Sequence, residues 1–474
     1  MRARNVDPWL VGLLVVLLVK LISIGAYPLT DTTEARYGEI ARLMATTGDW
    51  ITPQVEVGVP FWAKPPLSFW QGALSMSLFG VSEFSARLPS LINMLGVLVL
   101  LFVMARASWG NSAATASVFI AMTSAIGFVN AGAVMTDPAL LLSTTLAMVS
   151  VWQSLTRRSS VWGLAFFAAL ALGLLAKGPI AWLLAGAPIV AWLTLERRWR
   201  QFFRIVPVLP GCLLLFATAT PWFLLAEVKT PGFLNYFLVG EHIQRYLDSG
   251  WQGDRYGSAH EEARGKIWWF ALLALVPWSF VAGARALGAM TSRSTRAPSA
   301  APSLNRYLVL WTLWPLVFFT FSGNILATYV LPSLPSFSLL LAYSVSESRH
   351  RLALVGAGLV LPVLVLFASP LGLMRQVDAN SHAQLIASVQ EQRPRSPLVY
   401  FGAMPHSARF YSRGSAQLAG DEATLNRLLE RRGRATVIVK RGSLSNQALH
   451  RASLKPLRTW NSYRVYSYED SSER

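Results

Sequence analysis

Apolar runs close to twenty residues long recur along this chain, separated by short polar segments in which arginine and lysine collect. A helix of that length crosses about 30 Å of hydrocarbon. The pattern predicts eleven membrane-spanning helices, at about 8–28, 88–105, 112–131, 138–156, 161–176, 179–195, 205–226, 266–285, 307–322, 326–345 and 352–370. Arg106, Arg157 with Arg158, the segment ERRWR at 196–200, and Arg349 with Arg351 mark the inner turns, because cationic loops stay in the cytoplasm. Arg2 and Arg4 place the first start there too. The apolar run after them lacks a small-residue cleavage site, so it reads as a retained span and not a removed signal peptide. An odd number of spans puts everything after about residue 370 on the outer side.

Beyond that point the pattern changes. Apolar runs shorten to strand length at 398–401, 436–439 and 464–466, and 422–432 has the spacing of a short helix. The expectation is an α-helical polytopic membrane domain over 1–370 and a small soluble α/β domain over 371–474. Outer loops are expected at about 29–87 and 227–265, with a helix along the interface at 67–79 and a Ser/Arg/Pro-rich inner loop at about 290–303.

Composition agrees: of 474 residues 53% are hydrophobic and 14% charged, and the formal net charge is +18. In a soluble protein that excess would suggest nucleic acid. Here the cations sit between spans, where they orient the chain and attract anionic lipid headgroups, and no basic module with interleaved aromatics stands apart from the spans. Cys212 is the one cysteine and lies inside a span, which excludes an intrachain disulfide and a cysteine metal cluster. No glycine-rich phosphate loop, dinucleotide fingerprint or hydrolase elbow is present in the sequence.

Against that apolar background the first outer loop stands out, with Asp31, Glu34, Arg36, Glu39, Asp49, Glu56 and Lys64 crowded into 34 positions. Thr30 or Asp31 can cap a helix through 34–44, where Glu34 suits the positive end of the dipole, and Gly48 ends it. Pro65 and Pro66 stiffen the chain beside Lys64. The segment is either a charged helix lying on the headgroups or part of a site. The topology alone brings Asp31, Lys64, Asp137, Lys177, His242, Arg245 and Tyr329 to the same outer face. A carboxylate near a low-dielectric surface can serve as a general base, a role open to Asp31 beside helix capping. Lys64 can meet a phosphate or snorkel to headgroups, Arg245 can grip a phosphate with two N–H groups, and Tyr329 can donate a hydroxyl or sit in the interfacial belt. Asp137 caps a span or binds acceptor or sugar. Lys177 turns the chain or partners a charge, and Glu241 with His242 leaves a divalent metal open.

The ordered motifs PLTDTTEARYGEIA at 28–41, GDWITP at 48–53, FWAKPPL at 61–67, AKGP at 176–179, EHIQRY at 241–246 and TYVLP at 328–332 carry a resemblance. Over roughly the first 340 residues the chain resembles the lipid A aminoarabinose transferases, relatives of the protein O-mannosyltransferases within the polytopic GT-C glycosyltransferases. The resemblance implies transfer of a glycosyl group from a polyprenyl (undecaprenyl) phosphate-sugar donor to lipid A, another glycan or lipid, or a protein. It places the reaction at the periplasmic face of the bacterial inner membrane, with no certain cofactor. By the same resemblance Asp31 matches the catalytic aspartate, with Glu34 the second choice, and Arg245 and Tyr329 match positions around the carrier phosphate. Asp137 leans towards substrate binding on the same grounds. One displacement by one base implies inversion. Two departures leave the sugar and the metal open: Ala63 stands where a glutamate is usual, and Asn324 and Ile325 where a lysine is usual. The alternative, a transporter or flippase of lipid-linked sugars, would keep charges near the bilayer midplane and show internal repeats, whereas these charges gather at one face.

Overall fold

The computed structural model describes residues 7–248, 250–257, 260–291, 302–368, 379–444 and 452–469. Most of the inner loop expected at 290–303 lies outside the described residues. The chain divides into two compact units, Met1–Ile24 with Leu43–Phe367, and Gly25–Arg42 with Ala368–Arg474. The first polar loop is therefore shared, its leading part belonging to the second unit.

The first unit is helical, and each apolar run of the sequence forms a helix or a pair of them. Pro8–Ser23, Glu83–Trp109, Asp137–Arg157, Ser160–Lys177, Ile180–Leu195, Val208–Lys229, Pro302–Thr320 and Arg351–Ala368 are continuous. Three runs are not. The run at 112–131 breaks at Ser124, whose hydroxyl accepts the Gly127 N–H at 3.3 Å and starts a second helix, Ala125–Asn130. The run at 266–285 bends by 101° between Lys266–Ala274 and the helix that starts at Trp278. Pro277 sits at that corner, where it cannot donate to the preceding turn. The run at 326–345 opens as a tighter 3₁₀ turn, Ala327–Ser333, before Leu334–Val345. Six helices among the described residues are long and apolar enough to cross a membrane, or seven with the bent pair counted once, against the eleven expected. Pro8–Ser23 and Ile180–Leu195 are apolar but shorter.

Large aromatics fill the core of this unit and find partners for their polar ends. The Tyr307 hydroxyl donates to the Met148 carbonyl at 2.7 Å, Trp311 Nε1 to Pro332 at 3.1 Å, and Trp192 Nε1 to Ser303 at 3.1 Å. Where no water can compensate, an unmade bond of this kind costs several kcal/mol. In the first polar loop, strands β1 (Gln54–Glu56) and β2 (Val59–Pro60) form a hairpin whose turn uses Gly58 at φ +81°, and a helix runs Leu67–Phe79 as expected from the sequence.

The second unit holds a five-stranded sheet. Strands β3 (Leu398–Phe401), β4 (Gln417–Ala419), β5 (Arg434–Lys440), β6 (Lys455–Trp460) and β7 (Tyr463–Glu469) lie in the order β4-β3-β5-β7-β6. The β3 strand is parallel to β4 and β5, while β7 is antiparallel to β5 and β6. Alternation along the strands covers both faces. Val399, Phe401, Val437 and Val439 pack with Leu425 and Leu429 of the helix Glu422–Arg432, whereas Leu398, Tyr400, Ile438 and Val465 pack with Leu385, Ile386 and Val389 of the helix Ala383–Gln392. The segment Gly25–Arg42 joins this unit through the Leu29 N–H, which donates to the Tyr411 hydroxyl at 2.7 Å, and the Asp31 N–H, which donates to the Asn380 carbonyl at 2.9 Å.

Candidate active site

In the first unit the predicted residues converge on the polar loop 227–265. Its helix Tyr236–Gln244 is wound as a π-helix, which stacks residues five apart on one face. Two such pairs result. The Tyr236 hydroxyl donates to Glu241 Oε1 at 3.2 Å, and the rings of Phe237 and His242 meet edge-to-face at 4.7 Å between centroids. Glu241 is the hub. It is buried, with its side chain 3% exposed, and accepts from Lys64 Nζ at 3.0 Å and from Arg245 Nη1 at 3.1 Å. Arg245 also reaches Asp254 at 3.4 Å. Burial opposes ionisation of Glu241, but Lys64 and Arg245 outweigh it and hold the carboxyl below the usual range.

The loop that carries Lys64 is set by aromatic neighbours. The Tyr256 hydroxyl donates to the Pro60 carbonyl at 2.8 Å and accepts the Trp62 N–H at 3.1 Å, while the Arg255 guanidinium lies 4.7 Å from the Trp62 ring centre. The turn after the fifth apolar run supplies Lys177, paired with Asp137 at 2.8 Å and placed 5.1 Å from the centre of the Tyr329 ring. Asp137 is the first residue of its helix, after Thr136 at the N-cap position, so its carboxylate serves Lys177 and the capping expectation is corrected. The His242 ring nitrogens lie 2.8 Å from the Phe237 carbonyl and 3.1 Å from the Lys177 carbonyl. Burial pushes its imidazole below the ordinary value, so it is neutral at pH 7 and donates to only one of the two. Among the described residues no three His, Cys, Asp or Glu side chains group as a metal site.

Asp31 and Glu34 belong to the second unit. Glu34 occupies the first turn of the helix Thr33–Thr47, as expected for an anion at a helix start. The Asp31 carboxylate does something the sequence did not suggest: Oδ1 accepts the Ser407 N–H at 3.0 Å and Oδ2 accepts the Ser407 hydroxyl. Burial raises the Asp31 carboxyl above its ordinary value, and the Ser407 hydrogen bonds oppose the rise. Further along, Glu39 and Arg42 form a two-pronged pair at 2.6 and 2.7 Å.

Sequence reasoning missed Tyr236, Asp254 and Ser407. The first two lie in the same polar loop as Arg245, and the charge of Asp254 nine residues on was a usable signal. Nothing near Ser407 distinguishes it from the other serines.

A bundle of long apolar helices with an ionic network at one set of helix ends, and a small α/β unit, is the architecture of a polytopic membrane protein. Residues 10–237 match the family described as dolichyl-phosphate-mannose-protein mannosyltransferase. The fold is that of ArnT from Cupriavidus metallidurans, solved bound to undecaprenyl phosphate, with a TM-score of 0.79 at 20% identity over 97% of each chain. In sequence the chain is 29% identical over 360 residues to an undecaprenyl phosphate-alpha-4-amino-4-deoxy-L-arabinose arabinosyl transferase 2 of Pseudomonas fluorescens, covering 74% of this chain and 61% of that one. It is 28% identical over 395 residues to the corresponding transferase of Pseudomonas aeruginosa, covering 80% and 66%. The chain thus spans 61–66% of the length of these two curated relatives. It is similar in sequence to the aminoarabinose transferases, matches the protein mannosyltransferase family over its first half, and shares its fold with ArnT.

Proposed function

We propose that this protein transfers a glycosyl group from undecaprenyl phosphate-linked sugar to an acceptor hydroxyl or phosphate oxygen, lipid A foremost, at the periplasmic face of the bacterial inner membrane. The observation that carries the reading is the ionic network of the first unit. Lys64, Arg245, Arg255 and Lys177 stand against the carboxylates of Glu241, Asp254 and Asp137, an excess of one positive charge. A polyprenyl phosphate-sugar is a phosphodiester with one negative charge, and its departure leaves a second charge for these cations to stabilise. Among the described residues the Lys64 ammonium has two partners, Ala63 and Glu241, which leaves its third N–H for a phosphate oxygen.

In this reading Asp31 takes the proton from the acceptor oxygen, that oxygen bonds to the anomeric carbon, and the bond from that carbon to the phosphate oxygen breaks. The electron pair stays on the polyprenyl phosphate, and the single displacement inverts the carbon. Lys64, Arg245 and Tyr329 bind the phosphate, Asp137 and Lys177 support sugar or acceptor, and these groups and the C-terminal domain face the periplasm. The relatives' names favour 4-amino-4-deoxy-L-arabinose as the sugar. Ala63, Asn324 and Ile325 depart from the family pattern, so neutral hexosyl donors belong in the same assay.

The test is purified protein in lipid nanodiscs with radiolabelled undecaprenyl phosphate-sugar and lipid A. Release of undecaprenyl phosphate with label on the acceptor supports the enzyme. Movement of intact donor between leaflets of a proteoliposome without cleavage would instead establish a flippase.

A further inference from the structure

The Asp31 carboxylate is gripped chiefly by one residue, with the neighbouring His406 backbone N–H as a further donor. Ser407 is the second residue of the helix His406–Tyr411, is fully buried, and donates both its backbone N–H and its hydroxyl, one to each Asp31 oxygen. The hydroxyl has its own fixed orientation. It accepts the His382 backbone N–H at 3.1 Å, which occupies one lone pair and leaves its proton free to point at Asp31. The Asp31 N–H is tied to the Asn380 carbonyl at 2.9 Å, so backbone and side chain of the same residue are both held by the C-terminal part of the unit.

We propose that Ser407 is a positioning residue for the Asp31 base, fixing the plane of the carboxylate and which of its lone pairs remains free for the acceptor proton. The inference rests on the reading of Asp31 as the base given above. A carboxylate offers about four lone-pair sites. Ser407 takes one on each oxygen, which stops rotation about the Cβ–Cγ bond, and with the His406 backbone N–H as a further donor it narrows the sites left for the acceptor proton. Hydrogen bonds to the charged form also favour it, so Ser407 opposes the upward pull of burial on this carboxyl. Those surroundings are Tyr400 of β3, Tyr463 of β7, His382 ahead of the helix Ala383–Gln392, and His406, with Arg36 and Arg409 beside His406. Burial holds both histidines at about 4, so neither supplies a positive charge at neutral pH.

A plain structural serine and a positioning serine behave differently in a pH–rate profile. Ser407→Ala removes one donor and adds no bulk. The expected result, in full-length protein with undecaprenyl phosphate-sugar, is a fall in kcat of about ten- to a hundredfold with the donor KM unchanged. The acidic limb of kcat moves to higher pH, because a carboxyl that loses a donor binds its proton more tightly. Ser407→Cys keeps a weak donor in place and falls between wild type and alanine on both measures, which covers the case in which alanine does not fold. An acidic limb that stays put in either variant overturns the proposal, whether or not thermal stability drops. If Asp31→Asn abolishes turnover while Ser407→Ala leaves the limb in place, the base reading survives and only the role of Ser407 fails. A wild-type protein that never cleaves the donor removes both.

Discussion

Lys64 and Glu241, 177 residues apart in the chain, are joined by a 3.0 Å ion pair, and Arg245 closes on the same buried carboxylate. Three charges in a partly dry place are worth little as a staple, because desolvation consumes most of the attraction. Their value lies in holding two cations at a fixed spacing.

That arrangement predicts the effect of removing either cation. Lys64→Gln and Arg245→Gln should each raise the donor KM and lower kcat, by about ten- to a hundredfold in kcat/KM, since a phosphate contact exists before and during the displacement. Steady-state kinetics with varied donor measures the split. Turnover lost with donor affinity intact would move these cations to the acceptor.

Asp137 and Lys177 permit a stability test. Lys177→Met leaves a buried Asp137 without its partner and should cost about 3–5 kcal/mol, read as a drop in melting temperature in detergent. Adding Asp137→Asn should recover most of the loss. A double variant as unstable as the single one would show that the pair is not what holds this turn.

For Asp31 the decisive pair is asparagine against alanine. In Asp31→Asn the new side chain can turn its oxygen to the Ser407 N–H and its amide to the Ser407 hydroxyl oxygen, so folding should persist while turnover falls about 10²–10⁴-fold. Full activity in Asp31→Asn with an unstable Asp31→Ala would reduce Asp31 to an anchor of the loop.

His382 should make the second unit acid-sensitive. Burial lowers its imidazole from 6.5 to about 4, so the unfolded chain binds the proton first as pH falls. Stability is therefore present above about pH 6.5 and lost between there and pH 4, on the order of 3 kcal/mol for this one group. Melting curves across that window should flatten in His382→Gln. Parallel curves for both proteins would show that another group carries the acid sensitivity.

Topology is open to thiol labelling. Cysteines in place of the exposed residues Gln252 and Ser443 should react with an impermeant reagent added to spheroplasts, and one replacing Glu347 should not. Labelling of the Glu347 position alone would invert the orientation.

Much of this was legible beforehand, for physical reasons. Hydrocarbon demands long apolar helices and orders their turns by charge, so each expected span appears as a helix or broken pair, and the strands at 398–401 and the helix at 422–432 appear where alternation and periodicity put them. Edge strands β4 and β6 escaped, because three residues or a mostly exposed strand leave no clean alternation. The charged residues of the polar loops at 29–87 and 227–265 were visible as anomalies in an apolar chain. Their partners were not, since an ion pair across 177 positions and a serine 376 positions from the aspartate it grips leave no mark in local pattern. Proline and serine breaks decided which runs are single helices, and the π-wound turn decided that Tyr236 faces Glu241. Sequence thus determined what must be buried in lipid and which side chains are too costly to leave there without use. Only the tertiary structure decided which of them touch, because that depends on where distant backbone segments bring their donors.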